Sequence, residues 1–229
     1  MQRLTVSGID IAYLDEGNGP NAIIGHCSSA SHKEWLPLIA ELKPDWHVIA
    51  PDFIGYGQSQ SWPAGKPFSI DADISVLTSL AKKVRGPLHL VGHSYGAALA
   101  LEAARKLGAR VKSLTLVEPV TFHLLKVERR PEWREVEEIG IAVLSAVGKG
   151  DDRAAAAAFM SYWLGRWRWW LSPEKFKAAI TATIRKVALE FAIAIEAEEK
   201  LSGYAGVAIP TLLIAGSKTR APARAVVDL

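Results

Sequence analysis

The pentapeptide Gly92-His93-Ser94-Tyr95-Gly96 constrains this chain more than any other segment. An apolar run, Leu88-His89-Leu90-Val91, leads into it, and an alanine-rich stretch over residues 97–107 leads out. In that stretch Glu102, Arg105 and Lys106 form one polar stripe, as on a surface helix. Strand, glycine-flanked serine and helix in immediate succession demand a turn that side chains at 92 and 96 would obstruct. Such a turn presents the serine where a helix dipole favours developing negative charge. Ser94 is therefore the candidate nucleophile, against the plainer reading of an inert glycine-rich turn.

The rest of the first half repeats this unit. Residues 4–6 and 9–14, split only by Ser7-Gly8, read as an opening hairpin. Short apolar runs at 22–25, 47–50, 88–91 and 111–117 suit strands buried on both faces of a parallel sheet. Between them Ile70, Ile74, Leu77, Ala81 and Val84 share one helical face. The expected fold class is α/β: a doubly wound, mostly parallel sheet.

Near Val120 the rhythm changes, and to about Tyr204 only helical patterns remain. Pro131 opens one helix; Asp151 or Asp152 caps a second; Ser172-Pro173, a hydroxyl cap followed by proline, starts a third. Strand character returns at 209–215. The expected division is a core of residues 1–119 and 206–229 with an inserted helical cap over 120–205.

Composition excludes several classes. A net charge of +3 over 229 residues, with no basic run, gives no footprint for nucleic acid. The single cysteine, Cys27, forms no intrachain disulfide, so an oxidising compartment is not required. The N-terminus lacks the pattern of a signal peptide, and charges interrupt every apolar stretch before the ~18 residues a membrane span needs. A cytoplasmic protein without a membrane span is the expectation. No His/Cys/Asp cluster has metal-ligand spacing, so no metal site is expected.

Three segments together resemble the α/β-hydrolase superfamily, in particular its cap-bearing group related to haloalkane dehalogenases, small-ester hydrolases and C–C hydrolases. They are GHCSSASHKEW at 25–35, PDFIGYGQS at 51–59 and GHSYG at 92–96. Serine at the elbow, where dehalogenases carry aspartate, implies acyl transfer to water without a cofactor. The resemblance implies an oxyanion hole built from the backbone N–H groups of Ser28 and Tyr95. Where the family has His-Gly, this chain has His26-Cys27-Ser28, a change that main-chain donors tolerate. The loop from Asp52 to Ser59 reads as architecture beside the elbow.

The family's usual acid position, after its seventh strand, holds Thr219 in Gly216-Ser217-Lys218-Thr219. Some members carry the acid after the sixth strand, which here ends in Glu118-Pro119. Glu118 is thus the expected triad acid, with a solvated loop residue or a structural ion pair as the alternative. The family's base is a histidine near the C-terminus, but the last of six histidines here is His123. Residues 223–229 begin an amphipathic helix without any cap, so the chain reads as short by one strand, one helix and the catalytic histidine. Among existing histidines, His123, His26 and His32 lie in loops at edges where a substitute base would stand.

Five tryptophans lie in the helical segment, and Trp163, Trp167 and Trp170 share a helical face that would line or roof a pocket. The run Gly165-Arg166-Trp167-Arg168-Trp169-Trp170 also invites a lipid reading. The pocket reading implies a small apolar or aromatic acyl substrate. A serine hydrolase of small carboxylic esters is the leading expectation. A non-catalytic ligand-binding protein on the same fold and a cofactor-free C–C hydrolase or acyltransferase using the same serine are the alternatives.

Overall fold

A computed structural model describes all residues from Met1 to Leu229. They form two compact units: one of Met1–Val120 with Leu201–Ser217 and Leu229, the other of Thr121–Lys200 with Lys218–Asp228.

The first unit is built on seven strands: β1 (Gln2–Val6), β2 (Ile9–Glu16), β3 (Asn21–Gly25), β4 (His47–Pro51), β5 (Leu88–His93), β6 (Val111–Val117) and β7 (Thr211–Ile214). Their order is β1-β2-β4-β3-β5-β6-β7. The β1–β2 hairpin turns on Ser7 and Gly8, both at positive φ (51° and 81°), which matches the twist of the paired strands. β2 also meets β4 antiparallel, and every later pairing is parallel. Helices α1 (Leu36–Leu42), α2 (Ile70–Lys83) and α3 (Tyr95–Leu107) make the crossovers. Ile23, Ile24, Leu80, Leu90 and Leu99 are among the unit's fully buried side chains. That accounts for the nearly unbroken apolar runs of the central strands.

The chain leaves β3 toward β4 on one side, then returns to lay β5, β6 and β7 on the other. The strand order therefore switches direction between β3 and β5, the position where open α/β sheets place a ligand crevice outside the carboxyl ends of their strands. β7 is an outer strand paired only with β6, and its Leu212, Leu213 and Ile214 are exposed. Such an apolar edge is a template for further pairing.

The second unit is helical throughout: α4 (His123–Val127), α5 (Trp133–Gly148), α6 (Asp152–Leu164), α7 (Arg166–Leu171), α8 (Glu174–Glu196) and α9 (Ala221–Val227). Val136, Val143, Phe159, Ile184, Val187 and Phe191 form its core. Gly140 lets α5 approach α8, since a Cβ there would stand 3.1 Å from Ile195 and 3.2 Å from Phe191. The Asp151 carboxylate caps α6 by accepting the Ala154 N–H at 2.9 Å. No helix of the structure is long and apolar enough to cross a membrane.

Three local expectations change here. The Ser172 hydroxyl does not cap α8; it donates backward to the Arg168 carbonyl at 2.8 Å, closing α7. Gly165, at φ 89°, ends α6 and restarts the chain as α7, so Trp163 lies on a different helix from Trp167 and Trp170. Trp167 and Trp170 are 77% and 67% exposed, and Trp169 is the buried ring, packed near Phe176. Finally, residues 218–228 group with the helices, whereas the sequence division set 206–229 in the core. Arg220 lies over the Tyr162 ring and bonds the Tyr162 carbonyl, which holds the start of α9 there.

Candidate active site

Ser94 follows β5 directly, with φ 54° and ψ −115°. A non-glycine residue in that region costs about 1–3 kcal/mol and persists only where its surroundings over-determine it. They do. The Ser94 N–H donates to the Val117 carbonyl at the end of β6 (2.9 Å). Its own carbonyl accepts the N–H groups of Ala97 and Ala98 (both 3.1 Å) and of Val120 (3.4 Å). A Cβ on Gly92 would stand 2.3 Å from the Gly96 carbonyl oxygen, and one on Gly96 would stand 2.5 Å from the backbone of Gly25 and His26. Both glycines are therefore steric requirements of the turn, as the motif predicts.

The same closeness joins the elbow to the loop after β3. The Gly96 N–H donates to the His26 carbonyl at 3.1 Å. Cys27 to Ala30 form a turn, closed by Ala30 N–H on the Cys27 carbonyl at 3.2 Å, with Ser29 at φ 59°. Ser28 sits inside that turn, and Tyr95 opens α3. The two proposed oxyanion donors thus belong to segments that leave β3 and β5 at the crevice. The Tyr95 hydroxyl is committed elsewhere, donating to the buried Asp73 carboxylate at 2.7 Å.

Two carboxylates that sequence reasoning missed hold these segments. Glu34 accepts the Cys27 N–H at 2.8 Å through one oxygen and bonds the His93 ring through the other. Burial pushes its carboxyl up, but the His93 ring, the Cys27 N–H and the positive charge on His93 together hold it below the usual range. Asp73 accepts the Ile54 N–H at 3.0 Å beside its bond to Tyr95. In the sequence Asp73 looks like an ordinary acidic residue in a helix's first turn.

Asp52 organises the 52–59 loop as expected of architecture. It is fully buried and accepts the His32 N–H (2.7 Å), the His32 ring (2.8 Å) and the Gln58 N–H (2.8 Å). Glu118 stands immediately after β6 at φ 47°. Its N–H donates to the Ile214 carbonyl at 2.8 Å, and its carboxylate accepts the Gly216 N–H at 2.9 Å. Glu118 therefore sits one residue beyond the carbonyl that anchors Ser94, with one oxygen binding the loop that follows β7.

The histidines of this unit are held by other partners. His26 is fully buried; its Nε2 accepts the Phe53 N–H at 3.0 Å, which places the proton on Nδ1, donated to the Cys27 carbonyl at 2.7 Å. Burial keeps this ring neutral by holding its pKa below the ordinary value. His32 serves Asp52, His47 bonds Asn21 and Asp15, and His89 bonds Ser113. His123 begins α4 in the helical unit.

One grouping has metal-ligand chemistry that the sequence spacing concealed: Cys27 Sγ, a Glu34 oxygen and a His93 ring nitrogen lie within 4.8 Å of one another. Here Glu34 and His93 already satisfy each other, so the group acts as a clamp between the β3 loop and the elbow.

Residues 23–221 match the family described as the alpha/beta hydrolase fold. The chain is similar to lipase LipV of Mycobacterium tuberculosis, at 32% identity over 103 residues that cover 44% of this chain and 38% of that protein. It is also similar to pyrrolizixenacetamide deacetylase of Xenorhabdus hominickii, at 27% identity over 157 residues, 63% of this chain and 55% of the relative. An alpha/beta hydrolase structure from Sphaerobacter thermophilus matches with a TM-score of 0.73 at 21% identity, covering 99% of this chain and 86% of that one. At that identity the likeness concerns the fold alone. The chain spans about half the length of the curated relatives it matches.

Proposed function

The chain belongs to the alpha/beta hydrolase fold family, and we propose that its chemistry is hydrolysis of small apolar or aromatic carboxylic esters through Ser94. The observation that carries this reading is the backbone of Ser94, held at φ 54° by the Val117 and Val120 bonds and by two glycines that admit no side chain. Strain of this kind at a strand-to-helix turn is stored where a reactive group must be presented. The names of the two relatives, a lipase and a deacetylase, support acyl transfer as the reaction class.

In the reaction, Ser94 Oγ attacks the ester carbonyl and gives its proton to an imidazole base. The Ser28 and Tyr95 N–H groups receive the charge that develops on the carbonyl oxygen. Collapse of the tetrahedral intermediate expels the alcohol, which takes up the proton, and water then releases the acid by the same steps in reverse. Glu118 is assigned to orient the base. The base itself is assigned to no histidine of the first unit, because those are engaged elsewhere. A serine site without its base retains ~10³–10⁴-fold catalysis over water from binding and oxyanion donors.

The engaged histidines favour one other reading, a ligand-binding protein on the same fold. A fluorophosphonate probe separates the two. Hydrolase chemistry predicts slow covalent labelling of the wild-type chain at Ser94, found by mass spectrometry, and none in Ser94→Ala. Equal labelling of both proteins at other sites would remove Ser94 from the mechanism.

A further inference from the structure

We propose that the tip formed by α7 and the start of α8 is a docking surface for anionic lipid bilayers, independent of whatever Ser94 does. Trp167, Trp170 and Leu171 are 77%, 67% and 71% exposed, and Leu164 and Phe176 are exposed beside them in the chain. Single exposed apolar residues are ordinary, whereas two indoles and a leucine within five residues make a patch. The patch is pinned. Trp169 is buried and anchors α7, the Ser172 hydroxyl closes it on the Arg168 carbonyl, and Lys177 Nζ holds the Trp170 carbonyl at 2.9 Å. The Trp167 and Trp170 rings meet edge to face at 6.1 Å, presenting one paired indole surface.

Charge selects the occupant. Arg166, Arg168 and Lys175 are exposed among these apolar groups. The nearby carboxylate, Glu174, is already taken by Arg153 (2.8 Å) and Lys177 (3.2 Å). A symmetric contact between two copies through this face would set three cations against three and repel itself. Anionic headgroups complement the cations, while indoles settle at the headgroup level with their N–H groups wet and their rings in the acyl boundary. The attachment proposed is at the bilayer surface, through the exposed indoles and cations.

Co-sedimentation with large vesicles tests this directly, comparing phosphatidylglycerol–phosphatidylcholine mixtures with phosphatidylcholine alone. The full chain should bind the anionic vesicles, less at high salt, with a blue shift of tryptophan emission. The Trp167→Ala/Trp170→Ala variant should lose at least about tenfold in partitioning. Replacing Arg166, Arg168 and Lys175 by Gln should cost on the order of a hundredfold on anionic vesicles. Thermal melts should match wild type throughout, because all five positions are exposed. Failure of the wild type to bind anionic vesicles overturns the proposal, as does binding that both variants retain in full. A dimer that the tryptophan variant dissolves, without vesicle binding, assigns the face to a second copy instead.

Discussion

Glu34 and His93 are 59 positions apart in the chain and share a carboxylate–imidazole bond that ties the loop after β3 to the residue before Ser94. The second Glu34 oxygen holds the Cys27 N–H, so one side chain fixes both walls of the crevice. Glu34→Ala would leave that half-buried N–H and the His93 ring without their acceptor, a loss of about 1–3 kcal/mol in denaturant melts. Glu34→Gln keeps an acceptor oxygen and should recover part of the stability. In both variants Ser94-dependent ester hydrolysis should fall more than stability does, because the Ser28 turn loses its fixed position. Activity unchanged in Glu34→Ala would show that the loop needs no such clamp.

Glycine at 96 is predicted to be irreplaceable, and glycine at 148 is not. A Cβ at 96 would stand 2.5 Å from rigid backbone of Gly25 and His26, so neither side can yield cheaply. Gly96→Ala should cost about 3 kcal/mol or more, beyond the ordinary range for a point change. Gly148 closes α5, has no neighbour within 4 Å and no positive φ. Gly148→Ala should stabilise by about 0.4–1 kcal/mol through the unfolded state. Parallel urea melts measure both signs.

Inside the helical unit, Lys186 and Glu190 form a pair at 2.9 Å with side chains only 6% and 8% exposed. Removing the Glu190 carboxylate takes an acceptor and a countercharge from a buried ammonium. Glu190→Ala should destabilise by about 3–5 kcal/mol, whereas replacing both by methionine should cost far less. Equal losses in the single and double variants, read from denaturant midpoints, would contradict this.

What could be read in advance follows from how local the cause is. The elbow was legible because strand, glycines, serine and helix are consecutive, and the Ser7-Gly8 hairpin for the same reason. Glu118 was legible as a position at a strand end, but its bond to Gly216 depends on β6–β7 register. Glu34 and Asp73 were missed because each acts across long sequence separations, and nothing in the local pattern distinguishes them from surface acids. The tryptophan face failed for a different reason. A single helical phase does not carry across Gly165: one residue at φ 89° restarts it, which brings Trp169 inside and leaves Trp167 and Trp170 outside.

The proposed mechanism assigns a nucleophile and an acid but no internal base, and that asymmetry can be measured. Added imidazole should enter the crevice and accept the Ser94 proton, since a general base is worth roughly 10²–10⁴-fold when positioned and a diffusing one recovers a fraction of that. Hydrolysis of a p-nitrophenyl ester should therefore rise about tenfold or more above the imidazole reaction in solution. Ser94→Ala should remove all of the excess. Glu118→Gln separates orientation from structure: the amide oxygen can still accept the Gly216 N–H, so melts should barely move. In a version of the protein carrying a C-terminal histidine, the same change should lower turnover by up to about 10⁴-fold, because an amide no longer holds the imidazole in the required tautomer. With free imidazole, which needs no orienting partner, the effect should be much smaller. Full activity of the 229-residue chain without imidazole, abolished by Ser94→Ala, would instead place the base on a histidine already in the chain.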